Sequence, residues 1–211
     1  MNLFDSLLPS KQEIVKDAYL LSGFAMEHEK EILPDLTRVI IDAPFRHMVT
    51  PGGFTMSVAM TNCGLGWVTD RKGYRYTSHD PLGNKLWPGI PDSFTQLAQT
   101  AAMKAGFLGF EPDACLINQY KIGARMSLHQ DKNEQDFNQP VVSISLGLPA
   151  VFQFGGLKRA DKTIKIPLNH GDVVVWGGEA RLRFHGVLPL KTNYHPAFGD
   201  GRINITFRKA G

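Results

Sequence analysis

Apolar and polar positions along this 211-residue chain follow two different rhythms, and the change falls near residue 110. From Asp113 onward, short β-type runs recur at near-regular spacing: Ala114 to Tyr120, Val141 to Gly147, Val151 to Phe154, Thr163 to Leu168, Asp172 to Trp176, His185 to Leu190 and Arg202 to Phe207. Strands this short bury their apolar faces most economically between two stacked sheets, so the pattern predicts an antiparallel jelly roll. Before residue 110 the rhythm is helical in two places. Glu27 to Ile41 is rich in helix formers, although Pro34 interrupts it. Ser93 to Ala105 sets Phe94, Leu97, Ala101 and Ala105 on one face, and Gly106 is a natural stop. Both helices are expected to pack on an outer face of the sheets. Between them, Pro51 to Pro91 is dense in glycine, proline and scattered aromatics, the texture of an exposed flap of short strands and loops.

These rhythms predict a mainly β protein with N-terminal helices: a single domain over residues 1–211, with an N-terminal extension at 1–110 that carries the flap at about 45–91, and a jelly-roll core at 111–211. Composition adds only limits. Hydrophobic content of 43% and charged content of 20% are ordinary for a globular domain. No apolar run approaches the ~20 residues that span a bilayer, and the first residues have no signal-peptide pattern, so a cytoplasmic protein without membrane contact is expected. Cys63 and Cys115 have no zinc-ribbon or C-x-x-C spacing and read as two reduced thiols. The net charge of +3 is compatible with a polyanionic partner and equally with none. A monomer is the default.

The strongest chemical signal is His129-Gln130-Asp131, followed much later by His185 at the start of a strand. Two imidazoles and one carboxylate can occupy one face of an octahedral ferrous ion and leave three positions for O₂ and a chelating cosubstrate. The same donors can form an open catalytic zinc site. His129 and Asp131 can also be ordinary members of a polar loop, which continues as Lys132-Asn133-Glu134-Gln135-Asp136. A second H-x-D, His170-Gly171-Asp172, sits at a glycine turn that runs straight into a strand and reads as turn chemistry.

What favours iron is Arg202-Ile203-Asn204-Ile205-Thr206-Phe207-Arg208, whose strict alternation places Arg202, Asn204, Thr206 and Arg208 on one face and an apolar triplet on the other. A half-exposed strand gives the same alternation. Two arginines on a core strand suit a buried dicarboxylate, because guanidinium pairs bidentately with carboxylate and keeps its charge when desolvated. Asn118 and Tyr120, on one face of the strand before His129, offer further hydrogen bonds to such a ligand, or form a satisfied polar pair on a sheet.

At this point longer runs become recognisable: Met48-Val49-Thr50-Pro51-Gly52-Gly53, Thr55 to Gly64, Pro112 to Asn118, Ser127 to Lys132, Phe152 to Arg159 and His170 to Glu179. They resemble the AlkB family of alkylation-repair dioxygenases, continuously from about residue 44 to the C-terminus and loosely before that. The resemblance implies a double-stranded β-helix with a nucleotide-binding flap. It implies Fe(II) bound by His129, Asp131 and His185, with 2-oxoglutarate and O₂ as cosubstrates. Arg202 and Arg208 would bind the 2-oxoglutarate carboxylates, and Leu116, Asn118, Tyr120 and Asn204 would complete that pocket. On the substrate side it implies Trp67 stacking a methylated base against His129, with Tyr74, Tyr76, Thr50, Met60, Asn133 and Arg159 in the flap and rim. Without it, Trp67 would read as a buried loop anchor. The implied reaction oxidises the methyl group of 1-methyladenine or 3-methylcytosine and releases formaldehyde, while 2-oxoglutarate becomes succinate. The implied partner is alkylated single-stranded DNA, with double-stranded DNA and RNA as further candidates. A same-fold dioxygenase acting on RNA, a modified nucleotide or another small substrate, and a non-catalytic jelly-roll binding module, are the rival readings. Two departures stand out. Asn133 replaces an aspartate that helps read the base in the family, and one residue fewer separates Asn62-Cys63-Gly64 from Gly66-Trp67.

Overall fold

The structure, a computed structural model, describes residues 10–211; the first nine residues of the expected N-terminal extension lie outside the described residues. In chain order its strands are β1 (Lys11–Val15), β2 (Ala18–Leu21), β3 (Arg46–Val49), β4 (Thr55–Gly64), β5 (Gly66–Asp70), β6 (Gly73–Thr77), β7 (Ala114–Tyr120), β8 (Met126–His129), β9 (Val141–Gly147), β10 (Ala150–Phe154), β11 (Ile164–Leu168), β12 (Val173–Trp176), β13 (His185–Val187) and β14 (Arg202–Arg208). Two α-helices, α1 (Glu29–Asp42) and α2 (Asp92–Ala105), match the two helical rhythms of the sequence. Gly106, at φ +106°, ends α2 in the left-handed conformation that a helix C-terminus favours.

An eight-stranded sheet in the order β1-β2-β12-β9-β14-β7-β4-β3 faces a four-stranded sheet, β11-β10-β13-β8, and β5 and β6 form a separate hairpin. This is the expected double-sheet jelly roll. Two apolar clusters hold it together. One, including Met60, Leu116, Phe152, Phe154, Leu168 and Trp176, fills the space between the sheets. The other joins the outer face of the large sheet to the helices, with Phe207 of β14 set edge-on to Phe94 of α2, ring centroids 6.0 Å apart. β14 therefore lies mid-sheet with both faces covered, and every one of its residues is buried.

The expected boundary near residue 110 does not divide the sheets. β1 to β4 come from the N-terminal part yet complete the large sheet, β2 against β12 and β4 against β7. The expected flap narrows accordingly. β3 and β4 are sheet strands because Val58 and Met60 recur with period two and enter the core between the sheets, and what remains outside both sheets is the β5–β6 hairpin with the loop that follows it. Among the described residues, no helix is long and apolar enough to cross a membrane.

Candidate active site

β8 and β13 run antiparallel in a register that sets His129 opposite His185, so the two imidazoles are brought together by strand pairing. Their ring centroids lie 4.4 Å apart. Asp131, just past the end of β8, completes the group: Oδ1 lies 3.8 Å from His129 Nε2 and Oδ2 lies 3.7 Å from His185 Nε2. The three ligand atoms all fall within 4.8 Å of one another. Each ring is oriented through its other nitrogen, His129 Nδ1 against the Ser127 carbonyl at 2.9 Å and His185 Nδ1 against the Arg183 carbonyl at 3.0 Å. A carbonyl can only accept, so each ring donates from Nδ1 and turns Nε2 toward the metal position. Burial, with His129 beside it, pushes His185 down to about 3, so it is neutral and ready to ligate. Burial opposes ionisation of Asp131, but Arg208, His185 and His129 outweigh it and hold that carboxyl well below the usual range. The donor set, the ionised Asp131, the neutral His185 and one open side at half-exposed His129 fit a catalytic metal.

The second H-x-D is a turn, as its sequence suggests. Asp172 accepts hydrogen bonds from the Gly23 and Asn169 amides, and His170 Nδ1 accepts one from the Gly147 amide.

A cavity between the sheets adjoins the triad. Its walls include Leu116, Asn118, Tyr120, Arg202, Asn204 and Arg208 together with His129 and His185, so every residue expected around the cosubstrate lines one space. The half-exposed alternative for β14 fails because the polar face of that strand looks into this cavity. Arg202 is 1% exposed and donates from Nη2 to Ser145 Oγ at 2.9 Å. Among the described residues its Nε and Nη1 have no partner, nor does Asn118 Oδ1. Buried guanidinium N–H groups without acceptors are costly, and a carboxylate in the cavity would satisfy them. Arg208 differs: Nη2 and Nε lie 2.8 and 2.9 Å from Asp131 Oδ2, and Nε also lies 3.6 Å from Glu134.

Sequence reasoning missed several members of this site. Ser143 and Ser145 of β9 face the cavity or its arginines, beside Thr206 on the polar face of β14, and the alternation of serine with valine, isoleucine and leucine in Val141–Gly147 is the available signal. Glu134, which looked like one more hydrophilic loop residue, is 6% exposed. It accepts a hydrogen bond from Tyr76 Oη and pairs with Arg181 Nη2 at 3.2 Å. Arg181 also donates to the Asp131 carbonyl at 2.8 Å. No local pattern marks these two, because their partners are remote in sequence.

The substrate-side residues are brought together in part. Trp67 Nε1 donates to Asn133 Oδ1 at 3.3 Å, and the indole stacks on Tyr74 with centroids 5.6 Å apart. Trp67, Tyr74 and Tyr76 thus share the hairpin, which Asn133 and Glu134 tie to the loop just after Asp131. Gly66 lies directly on the Trp87 indole: a Cβ there would come within 2.1 Å of Trp87 Nε1. Met60 is fully buried, cross-strand from Asn118, as part of the core between the sheets. Thr50 builds the turn after β3, bonded to Phe54, and exposed Arg159 lies over the Phe184 ring at 5.4 Å.

Residues 17–208 match the model of the 2OG-Fe(II) oxygenase superfamily. The chain is 55% identical over 212 residues to the alpha-ketoglutarate-dependent dioxygenase AlkB of Escherichia coli (strain K12), covering 100% of this chain and 98% of that one. This chain belongs to the AlkB family of Fe(II)- and 2-oxoglutarate-dependent dioxygenases. The AlkB homolog of Caulobacter vibrioides (strain NA1000 / CB15N) is 46% identical over 172 residues, 80% of this chain and 76% of that one. The solved structure of OsALKBH1 superposes with a TM-score of 0.82 at 28% identity over 95% of this chain and all of that one. Family membership decides between the two metals that the donors alone allowed. In an AlkB-type enzyme, His129, Asp131 and His185 form the Fe(II) triad, and 2-oxoglutarate is the cosubstrate.

Proposed function

We propose that this enzyme repairs N-methylated bases, 1-methyladenine and 3-methylcytosine, in single-stranded DNA, acting as a cytoplasmic monomer. The observation that carries the reading is the junction of a buried metal triad, a cavity with unpaired arginine N–H groups and an aromatic hairpin, in a chain alike over its full length to bacterial AlkB. When bound, Fe(II), 2-oxoglutarate and O₂ supply the oxidising power that hydroxylates the N-methyl carbon, which then leaves as formaldehyde.

The protein binds and orients. Arg202 would hold a carboxylate of 2-oxoglutarate through its free Nε and Nη1, with Asn118, Tyr120 and Asn204 lining the cavity and Leu116 closing the wall. Arg208 holds Asp131 ionised and in place and would add positive potential for a carboxylate bound beside the triad. Trp67, backed by Tyr74, offers a π face to a base turned out of its strand, with His129 on the opposite side; Tyr76, Thr50, Asn133 and Arg159 complete the base and backbone contacts, while Met60, expected among them, is a core residue with no exposed surface to offer. No side chain acts as nucleophile.

The test is a 3-methylcytosine oligonucleotide offered as single-stranded DNA, duplex DNA and RNA to Fe(II)-loaded enzyme with 2-oxoglutarate and O₂. Formaldehyde and repaired base are expected in equal amounts, fastest on single-stranded DNA and absent for His129→Ala. Succinate without repaired base on any strand would sink the substrate reading and leave the oxygenase.

A further inference from the structure

β4 loses its partner strand part-way along. Its pairing with β3 extends from Thr55 only as far as Met60, against Arg46, so on that edge Thr61 to Gly64 run past the end of the ladder. The chain then turns at Gly64, which has φ +73° and no room for a Cβ: one would come within 2.4 Å of the Asp113 carbonyl. After Leu65 the chain re-enters as β5, whose ladder partner is β6 and not any strand of the large sheet. By strand pairing alone, the hairpin that carries Trp67 is unattached.

Asn62 supplies one attachment, beside the Thr69 Oγ1 hydrogen bond to the Val49 carbonyl at 3.4 Å and the burial of Val68 in the core between the sheets, and it is the one that acts on Trp67 itself. Its side-chain Oδ1 accepts the Trp67 amide N–H at 3.1 Å and its Nδ2 donates to the Trp67 carbonyl at 3.2 Å. One primary amide thus satisfies both backbone groups of one residue, as a neighbouring strand would. Asn62 is itself 0% exposed, and it lies cross-strand from Leu116, so it points to the same face of the sheet as a residue of the cavity wall. A residue anchored in the rigid sheet therefore grips the aromatic hairpin at the residue whose ring matters.

We propose that Asn62 is a positioning residue for substrate stacking: its side-chain amide fixes the Trp67 backbone, and through it the plane of the indole. This rests on the reading of Trp67 as the base-stacking residue. Only an amide has a donor and an acceptor in this fork. Asn62→Asp keeps the shape and still accepts from the Trp67 N–H, but it sets a carboxylate oxygen against the Trp67 carbonyl. Asn62→Ser, smaller and unable to span both groups, is the second variant.

The experiment measures KM for the methylated oligonucleotide and for 2-oxoglutarate in wild type, Asn62→Asp, Asn62→Ser, Trp67→Ala and the Asn62→Asp/Trp67→Ala double variant, taking those that melt cooperatively. The expected result is an oligonucleotide KM raised about tenfold by either Asn62 variant, the size of one buried hydrogen bond, with the 2-oxoglutarate KM unmoved. The double variant should be no worse than Trp67→Ala alone, because the amide acts only through that ring. Trp67→Ala impaired but Asn62 variants at wild-type oligonucleotide KM, or effects that simply add, would overturn the positioning role alone. Trp67→Ala at wild-type oligonucleotide KM would overturn the stacking reading and the proposal with it.

Discussion

The cosubstrate cavity and the aromatic hairpin lie side by side and are held by different means. The cavity is walled by strands in continuous ladders: β14 pairs along its length with β7 and along most of it with β9, and its polar face carries Arg202, Asn204, Thr206 and Arg208 into the space. The hairpin has only the β5–β6 ladder of its own. It is fastened to the rest by side chains, Asn62 to the Trp67 backbone, Trp67 to Asn133, Thr69 to the Val49 carbonyl and Tyr76 to Glu134, and by the packing of Val68 in the core and of Gly66 on Trp87. Ladders fix a chemistry that must not vary. Side-chain fastenings allow the part that meets the substrate to be tuned by single substitutions.

Three changes would sharpen or break that contrast. The largest effect is expected inside the cavity. Arg202→Lys removes the fork whose Nε and Nη1 are unpaired, and a point charge cannot reproduce bidentate pairing. The 2-oxoglutarate KM should rise about 30- to 100-fold, the worth of roughly 2–3 kcal/mol in a charged hydrogen bond, with the oligonucleotide KM little changed. Steady-state succinate formation against 2-oxoglutarate concentration checks it, and an unchanged KM would remove Arg202 from the binding role.

A smaller effect of opposite selectivity is expected at the hairpin base. Gly66→Ala must push β5 away from the Trp87 indole. The oligonucleotide KM should rise about tenfold for ~1.4 kcal/mol of strain, while the 2-oxoglutarate KM holds. If both constants rise together, the hairpin and cavity are one rigid unit and the contrast fails.

The smallest effect concerns Asn133. Restoring a carboxylate in Asn133→Asp adds negative charge near a cationic methylated base, worth at most ~1 kcal/mol at an exposed position. The turnover ratio of 3-methylcytosine to 1-methyladenine should shift up to about fivefold. An identical ratio would mean that residue 133 serves only to accept the Trp67 N–H.

The same contrast explains what could be read from the sequence. The triad is legible because its ligand types are few, and the buried polar face of β14 because strict alternation in Arg202–Arg208 puts polar groups where a core strand should have none. The jelly roll followed from the spacing of the strands after Asp113. Glu134 and Arg181 were not legible: each is polar in a polar stretch, and only the fold brings them to Tyr76, Asp131 and each other. β1 and β2, short strands joined at Asp17 with φ +63°, carry too little periodicity to be seen, and their place beside β12 is a tertiary fact. Glycine and proline in the turns around β4 mask its period-two pattern, so the sheet strands β3 and β4 read as flap.

The most direct test is an anaerobic titration of Fe(II)-loaded enzyme with 2-oxoglutarate, following the visible charge-transfer band that forms when the keto acid chelates the iron. Wild type should develop the band at stoichiometric iron, Arg202→Lys should need about 30- to 100-fold more 2-oxoglutarate to reach it, and Asp131→Ala should not form it. A band with the same midpoint in the Arg202 variant, or none in wild type, would contradict a single cavity holding iron at His129, Asp131 and His185 and the cosubstrate against Arg202.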